Sequence, residues 1–154
     1  VILMGFVSGG IARGFCVGLA VTFTISFFVD IQTYNLSIIA VTFLLTSIMF
    51  SLAGFINAVF ARTFDDISIV PNFVLLPLTY LGGMFYSIDI LPSFWRSLSA
   101  FNPIYYMMDA FRLGFLGIGS VELWKAFLVP IIMIVILALI ANALLARGVS
   151  IKTE

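Results

Sequence analysis

The chain has 154 residues, 63% of them hydrophobic and only 9% charged, with zero net charge and a mean hydropathy of +1.26. Soluble domains carry about 25% charged residues and cannot hide so much apolar surface at this size, so the chain reads as an integral membrane protein. The neutral balance offers nothing to nucleic acid, and one cysteine with no histidine excludes a disulfide framework and leaves no ground for a zinc or haem site.

Hydrophobic sequence begins at Val1, without the basic region and small-residue cleavage site of a secretory signal. The expectation is an internal fragment or a truncated gene product whose earlier portion precedes Val1. Residues 1–29 form the first predicted span, interrupted by one charge at Arg13. A cation at the bilayer centre costs roughly 2.5–3.5 kcal/mol on insertion scales. Arg13 therefore either faces an aqueous path or an acidic partner, or lies near an interface and snorkels. Gly10, Gly14 and Gly18 recur every fourth residue, with Gly5 and Gly9 ahead of them. Small residues at that spacing let a second helix approach backbone to backbone, so these three predict a helix-packing face. Cys16, in the same apolar run, reads as an inert core residue.

The polar turn DIQTYN at 30–35 follows, and Asn35 or Ser37 can cap the next helix. Residues 36–60 hold no charge and form a second span, with Thr42, Thr46, Ser47, Ser51, Gly54 and Asn57 as a small, weakly polar stripe suited to packing or to lining a substrate path. In the loop ARTFDD, Asp65 and Asp66 resemble a paired-carboxylate site, but adjacent helical residues point in different directions. Capping of the following helix explains them more simply. A third span near 66–86 carries Pro71 and Pro77 and ends at Gly82 and Gly83. Each proline costs a soluble helix about 3 kcal/mol. In a membrane such breaks persist where neighbours satisfy the freed carbonyls, which predicts a bent helix buried among others.

Between 87 and 119 the pattern changes to aromatics, charges and breaks. Two short helices fit residues 91–117, one starting at Pro92 with Leu91, Trp95 and Leu98 on one face, the other capped by Asn102 with Pro103 at its first position. Neither is long enough to span, so they are predicted to be interfacial or re-entrant. Asp109 and Arg112, three residues apart, are spaced to pair. The last span covers 121–146, with Pro130 near its first turns and Arg147 and Lys152 in the tail. The fold class expected is an all-α polytopic bundle of about four transmembrane helices plus two short re-entrant or interfacial ones. Arg62, Arg147 and Lys152 on one side balance Arg96, Arg112 and Lys125 on the other, so charge alone does not orient it.

The segments GGIARG at 9–14 and, within 51–117, PLTYLGGMFY, LPSFW and NPIYYMMDAFR resemble the type-2 ABC-transporter permeases, the membrane subunits of ATP-binding-cassette exporters. The resemblance extends over essentially the whole chain and matches the last four of the family's six spans, the C-terminal two-thirds. It implies a second permease copy, a separate ATPase subunit carrying ATP and magnesium, and membrane lipid around the bundle. It also implies a bacterial inner membrane with ARTFDD and the C-terminus cytoplasmic, and residues 87–119 outside. No GxxxxGK[ST] phosphate loop is present, so no cofactor and no catalytic residue is expected on this chain. Candidate path residues, polar or aromatic at helix breaks, are Arg13, Phe85, Tyr86, Asp109 and Arg112; a structural pairing of Asp109 with Arg112 is the alternative for those two. An intramembrane enzyme fits poorly, because the spans hold no lysine, aspartate or histidine in their interiors. A channel-like or assembly subunit without ATP coupling is the remaining alternative.

Overall fold

The computed structural model describes residues 2–30, 33–84, 90 and 92–146. The regular elements among them are helical: α1 (Ile2–Ser26), α2 (Leu36–Phe60), α3 (Phe64–Val70), a π-helical turn (Pro71–Leu75), α4 (Leu76–Leu81), α5 (Ser93–Ala100), α6 (Pro103–Leu116) and α7 (Leu123–Ala146). Of these, α1, α2 and α7 are long and apolar enough to cross a membrane, which is an all-α membrane bundle.

Helix α2 sits at the centre and packs against α1, α6 and α7. Its start is fixed locally, because the Asn35 side chain accepts from the backbone N–H groups of Ser37 and Ile38. Leu52 and Phe55 of α2 meet Ala141 of α7, with Leu3 and Val7 of α1 and Ile134 and Leu137 of α7 around them. The Phe6 ring stands edge-on to Phe55 at 5.4 Å. Lipid is as apolar as these side chains, so close packing rather than water exclusion holds the helices. The α1–α2 contact follows that rule. A Cβ on Gly14 would come within 2.9 Å of Ser47 Oγ, one on Gly18 within 2.7 Å of the Phe43 ring, and one on Gly10 would collide with Ser51. Ser51 Oγ donates to the Phe6 carbonyl at 3.3 Å across the same contact. Cys16, expected in a core, instead lies on the exposed face of α1, because that helix packs mainly on α2.

Thr63 caps α3, accepting from Asp66 N–H, while the Asp66 carboxylate accepts from the N–H groups of Arg62 and Thr63. Asp66 thus closes a capping box with Thr63 as its third helical position, and Asp65 adds a second negative charge to the first turn. The backbone then stays helical from 64 to 81, but Pro71 opens the π turn and Pro77 sits at the start of α4. A proline at 71 cannot donate to the carbonyl of Ile67 one turn back. The Asn57 side-chain amide of α2 donates to that carbonyl instead, at 2.9 Å. Asn57→Leu should leave it unpaired and destabilise the kinked segment by about 1 kcal/mol, seen as faster amide exchange near Val70; unchanged exchange would mean lipid-facing packing alone holds the kink.

Helix α6 is inserted against α2, α4 and α7, burying Ile104, Met107, Ala110 and Gly114. Helix α5 rests on α4 and α6 and leaves Trp95 and Leu98 exposed. Gly117, at φ 70°, closes α6 in the left-handed conformation that glycine adopts freely, its N–H donating to Leu113 O at 2.9 Å and its Cα lying against the Tyr34 ring. At the start of α7 the Trp124 indole N–H and then Lys125, 3.3 Å away, hold the Glu122 carboxyl below the usual carboxylate range. Pro130, the eighth residue of α7, lies about two turns from its start, near the first turns as expected, and is buried. The helix starts only at Leu123, and it continues through the proline because α2 and α6 pack around it.

Candidate substrate path

Arg13 projects from the middle of α1 into an open groove of about 540 Å³ between α1 and α2. Gly10, Gly14 and Val17 form one wall, Phe43, Thr46, Ser47, Phe50 and Ser51 the other, and Phe111 of α6 closes one end. The phenylalanines follow from geometry: Phe43, Ser47 and Phe50 recur at helical spacing, so they share the α2 face that meets α1. Thr46, which lines the groove, donates its Oγ1 proton back to the Thr42 carbonyl at 2.7 Å. Among the described residues Arg13 has no hydrogen bond, ion pair or acidic neighbour.

The spacing-based pairing of Asp109 with Arg112 is not what the structure shows. Asp109, 2% exposed, accepts from Ser120 N–H at 3.0 and 3.1 Å and from Val121 N–H at 2.9 Å. Arg112 donates to the Gly83 carbonyl at 3.0 Å. Two flanking turns offer both side chains backbone partners in good geometry, and these take precedence over an i, i+3 ion pair worth only a few tenths of a kcal/mol. Phe85 and Tyr86 lie outside the described residues, as do Arg147 and Lys152, but Gly83 tethers the turn leading into them to Arg112.

Asn102 completes this end of the bundle. It is 3% exposed, its Oδ1 accepts from Ile104 N–H at 3.0 Å, and its Nδ2 donates to the Leu78 carbonyl at 2.6 Å. It therefore caps α6 and ties it to α4 at once. A Cβ on Gly82 would sit 3.0 Å from Ile104, which explains how closely the two elements approach. Of the candidate residues, Arg13 lies in the groove, while Asp109 and Arg112 hold α6 to its flanking turns. The groove aromatics Phe43, Phe50 and Phe111 were not singled out by the sequence; the helical spacing of the first two was the available signal. Among the described residues no three acidic, cysteine or histidine side chains gather as metal ligands would.

Residues 1–116 match the family described as ABC-2 type transporter. The chain is 54% identical over 148 residues to the inner membrane transport permease YadH of Escherichia coli K12, covering 96% of this chain and 58% of that protein. It is 28% identical over 114 residues to nodulation protein J of Rhizobium leguminosarum bv. viciae, covering 74% of this chain and 42% of that one. Over 73 residues it is 32% identical to the ABC transporter ATP-binding protein/permease wht-1 of Caenorhabditis elegans, covering 47% of this chain and 11% of that one. The chain thus spans under two-thirds of the length of these relatives. No solved structure matches it.

Proposed function

The chain belongs to the ABC-2 type transporter family, and we propose that it is permease sequence of an ABC exporter, in which two copies form a path and ATP hydrolysis on a separate subunit drives substrate outward. The observation that carries this is the 54% identity, over nearly the whole chain, to a protein named an inner membrane transport permease. The lack of a phosphate loop in this sequence supports a division of labour in which ATP and magnesium sit on the partner and this chain catalyses nothing. We further propose that the protein resides in a bacterial inner membrane, which the name of that relative supports, with the ARTFDD turn and the C-terminus on the cytoplasmic side.

ATP-driven closure of the partner can switch access only if substrate binds the two states of the path unequally. The groove beside Arg13 is a surface able to do so, because it would change shape whenever α1 moves against α2. Affinity isolation of the tagged, full-length protein from its host in mild detergent tests the proposal. The expected result is a Walker-type ATPase in constant ratio and vanadate-sensitive ATP hydrolysis. A preparation free of any ATPase, yet folded, would instead favour a channel-like or assembly subunit.

A further inference from the structure

We infer that α3 works as a crank, turning between α2 and α4 on the π turn Pro71–Leu75, with Asn57 as the latch that holds it. The device goes beyond the permease reading and does not depend on it. Between residues 64 and 81 the helical ladder loses two donors. Pro71 offers no N–H to the Ile67 carbonyl, and Pro77 offers none to that of Phe73. Between them the Leu76 N–H donates to the Pro71 carbonyl, five residues back rather than four. Single π turns of this kind recur at functional sites, and a few such residues suffice to absorb the angle of a hinge.

The two sides of the π turn are held differently. On the α4 side, Asn102 Nδ2 donates to the Leu78 carbonyl at 2.6 Å and Arg112 to that of Gly83 at 3.0 Å. Helix α6 is itself pinned, by Asp109 to the turn before α7 and by the Asn35 N–H, which donates to the Gly114 carbonyl at 2.9 Å. A Cβ on Gly114 would come within 2.6 Å of Ile39, so α6 also lies hard against the start of α2. These bonds make α4, α6, α7 and the start of α2 one body.

Helix α3 is a seven-residue rod between two joints, the connector 61–63 and the π turn. The Thr63–Asp66 capping box closes its first turn with local groups, so the rod keeps its shape as it moves. Asn57, in the last turn of α2, meets the rod with a donor. Its amide reaches the Ile67 carbonyl at 2.9 Å, the one that Pro71 leaves free. Proline thus opens the ladder and asparagine closes it from another helix, by a bond that breaks without disturbing the backbone ladder of either. Within the permease reading, the crank lets the ARTFDD turn move while the α4–α6 end stays set.

The test places spin labels on the full-length protein in phosphatidylcholine nanodiscs, in a Cys16→Ser background diluted with unlabelled protein. One pair, Ile69→Cys with Leu116→Cys, spans the joint. The other, Leu76→Cys with Leu116→Cys, lies within the fixed body, and all three positions are exposed. Double electron–electron resonance reads both distances. Asn57→Leu should raise the population of a second 69–116 distance about fivefold, the ratio expected for one lost hydrogen bond, and leave the 76–116 distance as it was. Pro71→Ala restores a backbone donor to the Ile67 carbonyl, so in that background Asn57→Leu should have no effect. An unchanged 69–116 distribution, broadening of both pairs together, or an equal effect of Asn57→Leu with and without Pro71 each overturns the inference. Hydrogen exchange of the unlabelled wild type needs no variant: amides of 68–70 should exchange faster than those of 78–81, and equal protection overturns the crank as well. Co-isolation of an ATPase is read separately, so failure of the permease reading shows there whatever the distances.

Discussion

Asp109→Ala is expected to destabilise the chain by about 3 kcal/mol and to free the turn before α7. The carboxylate is buried and accepts three short bonds from two consecutive backbone N–H groups, Ser120 and Val121. Alanine removes the acceptor and leaves both donors without a partner in a site too closed for water to replace it. The same carboxylate lies just ahead of the first turn of α7, where negative charge is favoured by the helix dipole. Asp109→Asn keeps one acceptor oxygen and should cost about half as much. Thermal unfolding in detergent and proteolysis of residues 117–121 provide the readout. An Asp109→Ala protein with wild-type Tm and an uncut turn would mean that the bonds to Ser120 and Val121 contribute nothing. Normal stability in Asp109→Asn combined with lost transport would return Asp109 to the substrate path.

The second large effect is predicted for the glycines of α1, which divide into three groups by what a methyl would meet. Gly10→Ala and Gly18→Ala should each cost about 1–3 kcal/mol by overpacking, because the new methyl meets the Ser51 side chain down to its Cβ, or the Phe43 ring. Gly14→Ala faces only the Ser47 hydroxyl, which can rotate away, so its effect should be smaller. A methyl added at Gly5 or Gly9 would meet nothing within 4 Å, and alanine there should be neutral or gain up to about 1 kcal/mol of helix propensity. A disulfide-trapping assay between α1 and α2, run beside thermal unfolding, separates detachment of α1 from general loss of fold. Equal effects at Gly5 and Gly10 would show that α1 docks without the close approach to Ser51 and Phe43.

Much of this organisation is visible in the residues themselves. The membrane class follows from composition, and the boundaries of α2 and α6 from Asn35, Asn102, Pro103 and Gly117, whose preferences act within a turn of the chain. The glycine repeat of α1 predicts a close helix neighbour because side-chain spacing on a helix is set by local geometry. Partner choice is different. Asp109 passes over Arg112 for amides eleven and twelve residues away, and Arg112 reaches Gly83, twenty-nine residues away. Asn57 supplies the donor that Pro71 lacks, and Phe111 closes a groove built by two other helices. None of these contacts is encoded in a window of the chain. The sequence alone determined where helices begin and end and that they belong in a bilayer, since backbone propensity and hydrophobicity are properties of neighbouring residues. Only the tertiary structure decided which polar groups meet, because in a low-dielectric bundle each buried donor or acceptor takes the partner that packing brings nearest, whatever its distance along the chain.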